Sequence, residues 1–295
     1  MSPQKKATII ASATATLLIF MKLSVGIISG SVAVLASAID SVLDLIVSAF
    51  NYFAITKSEQ PANQKFNYGK GKIEALAGVI EGTIITISGL FILYEAIRKS
   101  ISHQEITHLD VSIYIMLSSL VITLLLLGFL NHVAKKTGSM VIKSDALHYK
   151  TDVLSNSAVL VSLVLVHFTG FYLIDTIMGV IIAVYIIYSA YEIIKDSVFI
   201  LLDVSLDEQI VEQIRQIIVA EDEISDFHHL KTRKSANTNF VDVHLVFNPT
   251  ISLLSAHQTG DSVEDKIKAL IPDERWIINA HLDPWDDSTT NDTLL

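Results

Sequence analysis

From residue 7 to residue 198 the chain alternates long apolar runs with short polar interruptions. Six runs, at 7–30, 31–55, 74–98, 111–133, 143–169 and 173–198, each approach or exceed the roughly 20 residues that a bilayer-crossing helix needs. Gly30-Ser31 predicts a tight turn between the first two helices, and Gly170 separates the fifth from the sixth. Between the second and third lies the polar loop "TKSEQPANQKFNYGKGK", punctuated by Pro61 and two glycines. After residue 201 the periodicity changes. "DEQIVEQIRQIIVA" reads as an amphipathic helix with an acidic first turn, and "DFHHLKTRK" and "FVDVHLVF" read as strands joined by the polar "SANTN". A helix around 251–270 and a strand "RWIINAHLD" complete an αββαβ order, which suits a two-layer α+β domain.

Composition sharpens this picture. The chain is 51% hydrophobic and 18% charged, with a mean hydropathy of +0.50, too apolar for an ordinary soluble domain. Charge is divided unevenly: residues 202–295 hold 18 acidic against seven basic residues, whereas residues 1–201 hold 13 against 14. The expected organisation is a membrane-embedded all-α six-helix bundle over 1–201, a cytoplasmic α+β domain over 202–284 and a disordered tail over 285–295. "MSPQKK" runs into the first apolar segment without a small-residue cleavage site, so that helix is expected to stay. Most lysines at helix ends, including Lys5, Lys6, Lys57, Lys65, Lys135, Lys136 and Lys195, mark one side of the bundle. By the positive-inside rule both termini are cytoplasmic, and the cell (inner) membrane is the expected location. There is no cysteine, which excludes thiolate metal sites.

The apolar runs contain ionisable residues that need an explanation. "AIDSVLDLIVS" places Asp40 and Asp44 at i, i+4, on one face of a helix, with Ser37, Ser48 and Asn51 extending the polar stripe. The fifth run answers with "SDALHYKTDVLSNS", where His148 and Asp152 are again i, i+4 and Asn156 follows one turn later. Three unpaired aspartates mid-membrane would cost about 8–10 kcal/mol on insertion scales. A cation offsets that cost. Three carboxylates and one imidazole can close a tetrahedron around Zn²⁺, and the imidazole favours transition metals over Ca²⁺ or Mg²⁺. Interhelical hydrogen bonding between protonated carboxyls is the alternative use of such residues. Protons compete for the same four groups, so exchange of metal for protons is a natural mechanism.

Six helices, "DSVLD" in the second, "HYKTD" in the fifth and a histidine-bearing α+β tail together resemble the cation diffusion facilitators, and within them the bacterial zinc and divalent-metal exporters. The resemblance runs to about Pro284. It implies a homodimeric metal/proton antiporter in the cell membrane, a metallochaperone-like cytoplasmic domain, and Asp40, Asp44, His148 and Asp152 as the transport site. It also implies an ion pair between Lys72 and Asp203, linking the "GKGKIE" segment to the cytoplasmic domain. Lys72 as a mere topology marker is the plainer reading. Relatives often carry a second metal site in the loop between helices two and three. Its positions correspond here to Asn63, Phe66 and Lys70, none a useful zinc ligand, so that site is expected to be absent. Glu81, inside the third run, is a further intramembrane acid facing a polar crevice or assisting proton movement.

The cytoplasmic histidines sort by strand alternation. Val241, Val243, Leu245 and Phe247 share an apolar face, so His244 and Asp242 face the other way. His281 and Asp283 share a face, and His257 comes from the following helix. His228 and His229 alternate, so only one is expected to join a given site, and His229 is assigned to the surface. His228, His244, His257, His281 and Asp283 suit one or two Zn²⁺ ions. The resemblance supports those five positions and places them near a dimer interface. His103, His108, His132 and His167 lie near membrane ends without an assigned role.

Rival functions fit less well. An intramembrane aspartyl hydrolase would not require the matched His148, and no HExxH segment is present, so an enzyme is not expected. A metal-gated channel or a membrane-bound metal sensor would use the same ligands without proton coupling. The acidic tail region attracts cations and argues against nucleic acid as a partner. Lipid, divalent metal, protons and a second copy of the chain are the expected partners.

Overall fold

The apolar runs fold as long helices because a chain with few water-compatible side chains must satisfy its backbone groups internally. The computed structural model describes residues 1–29, 32–102, 110–169, 173–272 and 274–286. The chain divides into two units, Met1–Val198 and Phe199–Leu295. The first contains helices α1 (Pro3–Ser29), α2 (Val32–Ser58), α3 (Lys72–Ser102), α4 (Asp110–Thr137), α5 (Met140–Thr169) and most of α6 (Leu173–Leu201). The expected turn at Gly30-Ser31, and Gly170, lie outside the described residues.

Among the described residues, four stretches are both long and apolar enough to cross a membrane: Pro3–Val25, Lys72–Arg98, Leu117–Thr137 and Thr176–Leu201. The remaining helices, α2 with 27 residues and α5 with 30, have the length. Both carry intramembrane acids within their apolar runs, Asp40 and Asp44 on α2 and Asp145 and Asp152 on α5.

Helix α1 packs along α2 and also meets α4, while α5 lies against α4 and α3. Small side chains make close approach possible: Ala7, Ala11, Ala54 and Ala77 join Ile55, Leu130, Ile142 and Tyr149 in one buried cluster. The α3–α6 contact is closer still. A Cβ on Gly78 would stand 2.4 Å from Ser197 Oγ, and one on Gly82 would stand 2.7 Å from Ile194 Cγ1. Glycine pairs at i, i+4 serve helix association in hydrocarbon by this close approach. Large apolar side chains such as Leu17, Phe20, Phe91 and Leu125 are exposed on the outside of the unit, as expected of a surface whose solvent is lipid.

One carboxylate ties three helices. Glu74, in the first turn of α3, is buried. Its Oε1 accepts from Ser58 Oγ at the end of α2 (2.9 Å), and its Oε2 accepts from Ser139 Oγ just before α5 (2.7 Å). The polar loop 59–71 is ordered by Asn63, whose Oδ1 accepts from the backbone N–H of Lys65 and Phe66. The Lys70 ammonium sits over the Phe66 ring, 4.9 Å from its centroid.

The second unit has the expected αββαβ order: α7 (Glu208–Val219), β1 (Ile224–Ser235), β2 (Thr238–Phe247), α8 (Leu253–Lys268) and β3 (Arg275–Asp283). Asp207 caps α7, accepting from Gln209 N, and Ser252 caps α8, accepting from Ser255 N. The sheet order is β1-β2-β3, with β1 antiparallel and β3 parallel to β2. Ile214 and Ile218 of α7 and Ala256, Val263 and Ile267 of α8 bury Val241, Val243, Leu245 and Phe247 on one sheet face. The alternation read in β2 therefore holds. The other face carries exposed Asp242 and partly exposed His244.

Candidate metal centres

In the first unit, α2 and α5 bring two of their polar turns together. His148 Nε2 stands 3.0 Å from Asp44 Oδ1 and 4.0 Å from Asp152 Oδ2. One ligand atom from each of Asp44, His148 and Asp152 lies within 4.8 Å of the other two. A tetrahedral ion with bonds near 2.1 Å sets its donors about 3.4 Å apart, a spacing that the two observed distances bracket. The Asp44 and His148 side chains are each 14% exposed, while Asp152 is 35% exposed, so the group is least covered on the Asp152 side. Asp40 lies on α2 one turn before Asp44, but its side chain falls outside the described residues.

The surroundings are polar and buried. Ser48 Oγ and Tyr149 Oη share a hydrogen bond at 3.3 Å. Asn51 Nδ2 lies 3.4 Å from both carboxylate oxygens of Glu81, which is buried. Asp145, fully buried, precedes His148 by three residues and Asp152 by seven, a spacing that puts the three on one side of α5. Lys22 of α1 was also missed: its ammonium donates to Ser41 Oγ of α2 at 2.8 Å. Asn156 does not extend the ligand stripe, because its amide donates to the backbone carbonyl of Asp152.

In the second unit the sheet register lines up three imidazoles. His228 pairs with His244 across β1–β2, and His244 pairs with His281 across β2–β3. Asp283, at the end of β3 and buried, is the common anion: its Oδ2 stands 2.9 Å from His244 Nδ1 and 3.5 Å from His228 Nε2, and its Oδ1 stands 3.1 Å from His281 Nε2. His228, His244 and Asp283 each offer a ligand atom within 4.8 Å of the others. Imidazole and carboxylate donors on one buried anion are a set that suits Zn²⁺. His228 Nδ1 faces a second carboxylate, Asp286 Oδ1, at 3.5 Å; Asp286 was assigned to the disordered tail, yet here it borders the group. The rest of that tail, 287–295, lies outside the described residues.

Two other expectations change. His257 is on α8, 67% exposed and 3.6 Å from Asp261 of its own helix; because α8 covers the opposite sheet face, this histidine is not brought to the trio within one protomer. His229 is only partly exposed. A register shift between His228 and Lys231 and a positive φ of 51° at His229 break the alternation. The ring centroid of His229 consequently lies 4.8 Å from that of His228 and 5.2 Å from that of His244.

Lys72 opens α3 in the first unit. Asp203 is in the second, where Arg233 Nη1 stands 3.4 Å from its Oδ1. His132 is exposed on α4, whereas His103, His108 and the His167 side chain lie outside the described residues.

Comparison with known proteins covers nearly the whole chain. Residues 8–202 match the cation efflux transmembrane domain, and residues 206–285 match the cytoplasmic domain of cation efflux proteins. The cation-efflux pump FieF of Pectobacterium atrosepticum is 36% identical over 278 residues, spanning 94% of this chain and 92% of the relative. FieF of Escherichia coli K12 is 33% identical over 279 residues, spanning 95% and 92%. FieF of Escherichia fergusonii is 34% identical over the same length.

Proposed function

The chain belongs to the cation efflux family, and we propose that it carries divalent transition metal out of the cytoplasm in exchange for protons. The observation that carries this reading is the meeting of Asp44, His148 and Asp152 between α2 and α5. Asp40, one turn from Asp44 on α2, completes the proposed transport site. Zn²⁺ is the first candidate substrate, with Cd²⁺ or Fe²⁺ next, because one imidazole among carboxylates suits borderline transition ions. These four groups bind metal only when the carboxylates are ionised and the imidazole is neutral, so protons and metal displace one another. Alternating exposure of one such site couples the two fluxes.

The second unit is read as a cytoplasmic regulatory domain of a homodimer. Zn²⁺ would be held there by His228, His244, His281 and Asp283, supplying positive charge to an acidic region. His257 joins that set only from a second copy. Lys72 and Asp203 form the proposed ion pair between the units. The excess of lysines at one set of helix ends supports a topology with both termini in the cytoplasm, and the inner membrane is the proposed location.

The test is Zn²⁺ uptake into proteoliposomes with and without an imposed pH gradient, beside Asp40→Ala and Asp44→Ala. Gradient-dependent uptake that both variants lose supports the antiporter. Uptake indifferent to pH but lost in the variants would make the protein a metal channel. Retention of uptake in both variants would remove the α2–α5 site from the pathway.

A further inference from the structure

Asn51 of α2, Glu81 of α3 and Asp145 of α5 meet in one buried place, and their hydrogen-bonding groups do not balance. Each is at most 2% exposed. Asn51 Nδ2 lies 3.4 Å from both Glu81 oxygens and stands beside Asp145. Among the described residues no hydrogen bond reaches either Asp145 oxygen or Asn51 Oδ1, and no lysine or arginine faces either acid. Five acceptor oxygens thus share the two hydrogens of one amide. Buried acceptors without donors are costly, and two like charges in one buried place disfavour joint ionisation. A proton on one carboxyl answers both problems, because it removes a charge and turns an acceptor into a donor.

Glu81 is the member placed to hold that proton without being a metal ligand. Asp145 is one turn from His148 on α5, whereas Glu81 sits on a third helix and hydrogen-bonds none of Asp44, His148 and Asp152. The titratable groups that face it are Asp145 and His148, both on α5. Helix α2 presents the neutral Asn51, and α6 presents Ile194 to the neighbouring Gly82. On its own helix Glu74 is engaged by Ser58 and Ser139.

We propose that Glu81 carries an exchangeable proton of its own, separate from the protons that compete directly for the metal ligands. This rests on the reading of the α2–α5 group as the transport site. When a divalent cation enters that group, its charge acts on Glu81 through a poorly screening interior; the Glu81 O–H bond breaks and the proton leaves to water. When the cation departs, Glu81 takes up a proton from water again. Metal binding thereby displaces one proton beyond those released by the ligands.

The experiment uses the full chain in detergent with the second unit's cluster silenced by His228→Ala, His244→Ala and His281→Ala. Zn²⁺ is titrated into this parent, and into the parent with Glu81→Gln, Glu81→Asp or Asp44→Asn, in weak buffer with a pH indicator. Affinity and protons released per bound Zn²⁺ are then read together. Glutamine has the shape of a protonated glutamate and cannot ionise, so metal-free Glu81→Gln is expected to melt no lower than the parent. It should still bind Zn²⁺ but release about one proton fewer per ion, and its Kd should depend less steeply on pH, by up to about tenfold per pH unit. Glu81→Asp, which keeps an ionisable carboxyl, should release as many protons as the parent. Full release from Glu81→Gln would overturn the proposal. So would an equal deficit in Glu81→Asp, because packing rather than a proton would then be at stake. A second readout needs no change at Glu81: infrared difference spectra of the parent should lose a protonated-carboxyl band when Zn²⁺ binds, and absence of that loss would also overturn it. If Asp44→Asn leaves Zn²⁺ binding by the parent unchanged, the reading of the α2–α5 group fails, and this assignment with it.

Discussion

His148 Nε2 on α5 lies 3.0 Å from Asp44 Oδ1 on α2, although 104 positions separate the two residues along the chain. Neither helix gains by placing such groups in an apolar layer unless the other helix answers. Asp44→Asn is therefore expected to separate stability from function. It removes a buried charge, whose retention is a cost in hydrocarbon, so the melting temperature in detergent should hold or rise. Zn²⁺ transport should fall by about two orders of magnitude, the scale on which losing a metal-supporting residue acts. A variant that transported normally would contradict the site.

Glu74 accepts two side-chain hydroxyl bonds in a buried place. Glu74→Ala leaves Ser58 and Ser139 without that acceptor and should destabilise the protein by about 1–3 kcal/mol. Glu74→Gln keeps one acceptor oxygen and should cost less. Thermal unfolding of the two variants side by side gives the ordering, and equal losses would show that packing rather than hydrogen bonding is at stake.

At Gly78 the α3–α6 contact leaves little room, and a Cβ there would make the Ser197 hydroxyl turn aside. Gly78→Val should cost about 1–3 kcal/mol through overpacking. Combining it with Ser197→Ala should return part of that loss, because the nearest colliding atom is then gone. Melting of the single and double variants measures the recovery.

Metal affinity of the histidine cluster should depend on pH with a definite sign. Imidazoles bind metal only when neutral, and they commonly take up protons between pH 8 and 5. Acidification from about pH 7.5 to about pH 5.5 should therefore weaken Co²⁺ binding, by up to about tenfold per pH unit for each proton displaced. Titrations at three pH values in the protein with a silenced α2–α5 site provide the check, and a constant Kd would be inconsistent with imidazole ligation.

Much of this architecture was readable in the residues because it is written in short periods. The i, i+4 spacing of His148 and Asp152 announces a shared helix face, and the alternation of "FVDVHLVF" separates His244 from the core. Asp145 shares that face at i, i+3 and i, i+7 and is legible in the same way. His229 was not accessible. A bulge depends on one backbone angle and on how a neighbouring strand accommodates an extra residue, and "HH" in a strand carries no mark of either. Glu74 illustrates the other limit, since Ser139 lies 65 residues away and no local pattern connects them.

The serines on Glu74 give α2 and α5 a common fulcrum. Ser58 stands 14 positions from Asp44, about 21 Å along a helix, whereas Ser139 stands nine positions from His148, about 14 Å. The two lever arms are unequal. A tilt of about 5° at the fulcrum carries Asp44 through about 2 Å, roughly one metal–ligand bond length, and His148 through about two thirds of that. A small tilt of either helix at that point would thus be enough to part Asp44 from His148 without unwinding or sliding.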